Sequence, residues 1–315
     1  MIFYKAGTGM SKDKKKKQKG EKKDAYLVTG LDSLHLLMTS MMGSRTENEA
    51  VATVDIPMDG IYETLAKLNA DNLEFKYTFF HLVCAAIFRT IQQRKMMNYF
   101  IRDGKYYERK EISVACIAKK AKVDGAEEGL VIMRYRRDSD MSPVEQIHKM
   151  LFKQVSEIRK SSDSKDPTMA IVDKLVHLPK PLYKFVMWII RTLDRKGMLP
   201  DVFADVDPYL CSCFASNIGS IKMNANYHHL INFGSNSFFL LVGKKLQQPV
   251  FKEDGTFEMK DFLPFSLTID ERIADGVYFA NSIKIFKALL MKPENLLKPA
   301  NEPIDYDALC KELGL

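Results

Sequence analysis

Apolar and polar residues alternate strictly from Phe265 to Asp270. Phe265, Leu267 and Ile269 fall on one side, and Ser266, Thr268 and Asp270 on the other, which is the period of a half-buried strand. A charged corner, Asp270-Glu271-Arg272, ends it. Beyond that corner the period becomes helical, with Phe279, Ile283, Phe286 and Leu290 on one face, Lys284 and Lys287 off it, and Pro293 closing the run. The same reasoning predicts strands at 50–57, 112–119, 130–136, 210–216 and 238–242, and helices at 31–43, 61–73 and 78–94. The helix at 78–94 is apolar almost all round and therefore buried, so its His81 reads as a packed core histidine. Asp103-Gly104 and Asp254-Gly255 mark two hairpins, and Ser142-Pro143-Val144-Glu145 is a capping box that opens a further helix.

Residues 178–200 break this regularity. The apolar core from Phe185 to Ile190 holds the single tryptophan, Trp188, and is flanked by Lys184, Arg191, Arg195 and Lys196. Two readings fit: a helix covering an apolar groove, as a lid or at a subunit contact, and an interfacial helix touching a membrane surface through Phe185 and Trp188. Packing is the preferred one.

Composition narrows the function classes. The 315 residues are 46% hydrophobic and 28% charged, as in an ordinary globular protein. The formal charge of +7 is concentrated in the lysine run between Lys12 and Lys23, on a polar segment, 1–24, expected to be disordered. Without that tail the chain is close to neutral, so no nucleic-acid partner is expected. Five cysteines without ligand spacing fit free thiols in a reducing cytoplasm and no metal site; Cys211 and Cys213 are expected on one face of a buried strand. No signal-peptide pattern opens the chain and no apolar run reaches the length of a membrane span, so a cytoplasmic location is expected. The expected organisation is one domain over 25–300, with 178–200 as a helical insertion and 301–315 as a tail.

Three pieces of the C-terminal half carry a resemblance. They are ASNIGSI at 215–221, the buried strand ending LLVGK at 240–244, and FSLTIDERIADG at 265–276 with its following helix. Together they resemble the catalytic domain of the dihydrolipoyl acyltransferases of 2-oxoacid dehydrogenase complexes and, more distantly, chloramphenicol acetyltransferase. Upstream, the buried helix at 78–94 with Asn98 beyond it, the strand ISVACIAKK and the helix opened by Ser142 are similar to the family in the same order. The resemblance spans about residues 50–297 and includes no lipoyl-bearing domain. It implies a two-layer α/β sandwich of the coenzyme A-dependent acyltransferase type, with a mixed sheet flanked by helices, usually as a homotrimer whose active sites form between subunits. Acyl-coenzyme A and a small thiol, hydroxyl or amine acceptor would be the partners.

In that family a histidine in an Asp-His-Arg-x-x-Asp-Gly motif is the general base, and a serine or asparagine donor steadies the oxyanion. Here the histidine position is Glu271, while Asp275, Ser216 and Asn217 match. A solvated carboxylate titrates near 4 and is a poor base for a thiol or alcohol, although an apolar channel raises it. His228 and His229 are the alternative bases. The expected function is acyl transfer with an altered base; the alternative is a binding or scaffold protein on the same trimeric fold, without catalysis.

Overall fold

The computed structural model describes residues 21–71, 73–119, 128–160, 175–200 and 208–315. Most of the lysine tail, residue 72 and three internal segments lie outside these. The elements in chain order are β1 (Ala25–Leu27), α1 (Ser33–Met41), β2 (Glu49–Pro57), α2 (Asp59–Leu68), α3 (Phe79–Gln93), β3 (Tyr99–Arg102), β4 (Lys105–Arg109), β5 (Ile112–Lys119), β6 (Glu128–Tyr135) and α4 (Pro143–Lys160). They continue with α5 (Lys180–Lys196), β7 (Cys213–Asn217), β8 (Phe238–Val242), β9 (Leu246–Phe251), β10 (Phe257–Asp270), α6 (Gly276–Met291) and α7 (Tyr306–Glu312).

Seven strands form a mixed sheet in the order β2-β10-β8-β7-β5-β6, with β9 extending from β10. β7 is parallel to both β5 and β8, and the other pairings are antiparallel. β1, β4 and β3 make a separate antiparallel sheet. Its β3–β4 turn is Asp103-Gly104, both with positive φ (53° and 68°), the conformation that lets a two-residue loop follow strand twist.

Alternation along the central strands explains the layering. Val114, Cys213, Ala215, Leu240, Leu267 and Ile269 point to one face, where the buried helix α3 and the helix α6 pack on them. Ala115, Ile132, Phe214, Phe239 and Leu241 point to the other, under a smaller cluster closed by Leu230. The result is the mixed α/β sandwich that the resemblance implies.

β10 runs unbroken for 14 residues, joining the hairpin arm to the core strand although Pro264 lies inside it. β9 pairs with it only as far as Phe262 and β8 only from Phe265, so the proline sits where its side partner changes. A missing N–H costs no ladder bond at such a junction. Cys211 and Cys213 do not share a face. Residues 211–212 bend before the strand begins, which sends Cys211 to the smaller cluster and Cys213 to the helix side. The C-terminal residues hold α7, whose Tyr306 and Leu309 join the main core, and the buried Arg89 donates to the carbonyls of Pro299 and Ala300 at 2.6 and 2.9 Å.

Candidate active site

The corner after β10 is built on a fully buried Asp270. Its carboxylate takes two hydrogen bonds from Arg272, from Nε and Nη2, each 2.8 Å, and lies 3.7 Å from Arg45 Nε. Charged, fork-to-fork pairing of this kind is how a buried carboxylate is tolerated. Arg272 also donates to the Met42 carbonyl at 3.0 Å, and Tyr106 donates its hydroxyl to the Arg272 carbonyl at 2.9 Å. Arg45 is itself buried and reaches the Ile231 carbonyl at 2.7 Å. Burial pulls its pKa down to about 10, against the opposing pull of Asp270.

Glu271 stands on this platform. Its backbone N–H donates to the Asn48 carbonyl at 3.0 Å, while its half-buried side chain makes no ion pair or hydrogen bond among the described residues. Arg272, the nearest sequence partner for it, is committed to Asp270 instead. Asp275 is exposed and caps α6, accepting from the Tyr278 N–H at 2.7 Å. This is the usual work of an aspartate at a helix N-terminus.

Ser216 and Asn217 end β7, and a single tight turn, Ile218–Ile221, follows. The Asn217 side chain accepts from the Ser220 N–H at 3.2 Å. Gly219 presses on the end of β8: a Cβ there would lie 2.2 Å from the Gly243 carbonyl oxygen. One on Gly243 would lie 2.5 Å from Ala225 N. The Ser-Asn-x-Gly turn therefore lies directly on the end of β8, while Gly243 makes room for Ala225 on the segment that follows the turn.

His228 and His229 lie on the segment that crosses the sheet's second face. His228 stacks on Phe239 with ring centroids 3.9 Å apart. Its Nδ1 donates to the His229 carbonyl at 2.8 Å, and His229 Nδ1 donates to the Leu230 carbonyl at 2.9 Å. A ring that donates through Nδ1 carries its lone pair on Nε2 when neutral, which is the form a base needs. Glu49 anchors the segment, accepting from the Tyr227 hydroxyl and the Leu230 N–H.

Register fixes how these parts relate. Ser216 pairs with Leu241, and Leu241 with Ser266, so Ser216 lies level with Ser266 on β10. Glu271 is five residues further on, about 16 Å along the strand direction. Phe239, under His228, and Phe214 beside it form the neighbouring row on the same face as Ser216. One chain thus brings His228 to the face of Ser216, and holds Glu271 and Asp275 at the other end of the sheet.

Residues 211–298, which contain the serine turn, both histidines and the corner, match the catalytic-domain model of the 2-oxoacid dehydrogenases acyltransferase family. That stretch is similar to the family's catalytic domain. The fold agrees over most of the molecule. A probable dihydrolipoamide acetyltransferase from Listeria monocytogenes superposes with a TM-score of 0.51 at 15% identity, covering 88% of this chain and 98% of the other. The cubic core of a pyruvate dehydrogenase multienzyme complex gives 0.54 at 15% identity, covering 86% and 94%. The Azotobacter vinelandii dihydrolipoamide acetyltransferase, studied for a serine, a histidine and an asparagine in its catalytic mechanism, gives 0.53 at 16% identity, again covering 86% and 94%. No curated protein matches the sequence.

Within this fold, local sequence does not mark Arg45, Asn48 and Glu49, which support the corner and the histidine segment from β2 and the turn before it. Nothing in local periodicity marks them, because each acts on residues about 180 or more positions away. Asp194 is a similar case. It is the one buried residue of α5, accepting from the Gly234 N–H at 3.1 Å, and it ties that helix to the body while Phe185 and Trp188 stay exposed.

Proposed function

We propose that this chain is a coenzyme A-dependent acyltransferase whose site is assembled between copies in a homotrimer, passing an acyl group to a small thiol, hydroxyl or amine. The observation that carries the reading is the match over 211–298, on a fold in which Ser216 and Glu271 lie at opposite ends of one sheet. Two such ends meet only when a second copy supplies one of them. The A. vinelandii study concerns a histidine and an asparagine four positions apart, the spacing of Glu271 and Asp275 here. In the proposed site Ser216 or Asn217 donates to the oxyanion, and Asp275 fixes the start of α6 beneath the reacting groups.

The base is either Glu271, unengaged by its neighbours, or His228, whose Nε2 carries the lone pair and which shares a sheet face with Ser216. A non-catalytic binding or scaffold role is the second reading, favoured by the loss of the motif histidine at Glu271. Incubation with acyl-coenzyme A donors and a panel of thiol, hydroxyl and amine acceptors, read as free thiol, decides between them. Catalysis predicts acceptor-dependent thiol release that falls on the order of 10²–10⁴-fold in Glu271→Gln or in His228→Asn, whichever holds the base. No release with any pair, alongside a thermal midpoint that still rises with coenzyme A, would leave the binding role.

A further inference from the structure

A cavity of about 380 Å³ lies between the small sheet, the β5–β6 edge and the residues that follow α5. That is within the usual range for a small-molecule site. Ile132, Leu199, Pro200 and Leu210 give it apolar walls, and neither Glu271 nor Ser216 lines it. Its cations are mostly balanced. Arg102 pairs with Asp24 at 3.2 Å, Lys110 with Glu21 at 2.7 Å and Arg134 with Glu111 at 3.5 Å.

Arg109 is not balanced. It is 7% exposed, lies against the Phe100 ring at 4.6 Å and donates only to carbonyls, those of Asn98 and Ser235, with Nε unpaired. No carboxylate among the described residues pairs with it. Burial pulls its pKa down to about 9, which leaves it charged at neutral pH. A buried charge without a counter-ion is costly, and an anion entering the cavity relieves that cost.

We propose that this cavity binds a small organic anion, a phosphate monoester or carboxylate on a compact apolar body, with Arg109 as its counter-charge. The proposal is independent of the acyl-transfer reading. Its test is the thermal midpoint of the full chain titrated with phenyl phosphate, benzoate and inorganic phosphate against sodium chloride at matched ionic strength. The expected result is a rise of roughly 5 °C over chloride at a hundredfold excess over Kd. Phenyl phosphate or benzoate should exceed inorganic phosphate because of the apolar walls, and the larger of the two names the headgroup. Arg109→Met should lose the response. If that variant does not fold, Leu210→Glu serves instead, since it places a carboxylate at the half-buried rim and should abolish the response while keeping the fold.

A wild-type response no larger than chloride, or one that persists in Leu210→Glu, overturns the proposal. So does a response seen only after Asp201, Asp205 and Asp207, outside the described residues, are changed to asparagine, for then the chain supplies its own anion.

Discussion

His81 shows what a buried titratable group does when it is not catalytic. It sits at the third position of α3, 2% exposed, among Phe75, Tyr77 and His148. Its Nδ1 accepts from the Thr78 N–H at 3.1 Å, closing a capping box with Thr78, while Nε2 has no partner. Burial, with repulsion from His148 on α4 as the second cause, lowers its pKa from 6.5 to about 4. The unfolded chain therefore binds a proton between those values that the folded chain refuses. Stability from this group is complete above pH 6.5 and is lost as pH falls from 6.5 to about 4. The loss is about 3 kcal/mol. Glutamine keeps the capping bond and cannot titrate. Urea unfolding of His81→Gln across pH 4–7 should show a shallower decline than wild type, and equal slopes would refute this account. The core assignment of His81 was legible because an all-round apolar helix leaves a histidine nowhere to go. Its capping role was not, because a histidine at that position is an unusual substitute for the glutamate or glutamine of a capping box.

At the scale of elements, the serine turn depends on backbone contact. Gly219 lets the turn after β7 lie directly on the end of β8, and a methyl there would fall 2.2 Å from the Gly243 carbonyl oxygen. That neighbour is main chain and cannot swing away. Gly219→Ala should cost about 1–3 kcal/mol by overpacking and shift Ser216 and Asn217 from their places. Thermal unfolding together with acyl transfer should show activity falling further than stability; an unchanged midpoint would mean that the turn yields freely. The short apolar runs of β5 and β8 were readable as strands because both of their faces are buried, one under the helices and one under the smaller cluster. The start of β7 was not, since residues 211–212 bend while remaining buried. Nor was the continuity of β10, where a change of pairing partner hides Pro264 from the usual rule. Local period reports burial; it does not report where a neighbouring strand stops.

For the whole molecule the decisive quantity is the separation between Ser216 and Glu271, because the sheet that holds both also keeps them apart. Sequence resemblance implied a shared site, but a single chain leaves its halves at opposite ends, and no residue pattern states which copy supplies which half. If Glu271 is the base, a closed trimer places the Glu271 end of one subunit against the Ser216 end of the next, so each site draws its two groups from different chains. Glu271→Gln and Ser216→Ala should then each be inactive alone, yet chains carrying one change each, co-expressed and purified as mixed trimers, should recover activity. With random assembly, half of the contributing ends are intact on each side, and about a quarter of the wild-type rate returns. A site complete within one chain gives no recovery, since every chain in the mixture carries a defect. His228 sharpens the comparison. If it is the base, it and Ser216 act from one face of one chain, and His228→Asn mixed with Ser216→Ala recovers only parental rates. The two mixtures therefore separate an inter-subunit carboxylate site from an intra-chain histidine site, in an assay that depends on chain pairing and not on the identity of the acceptor.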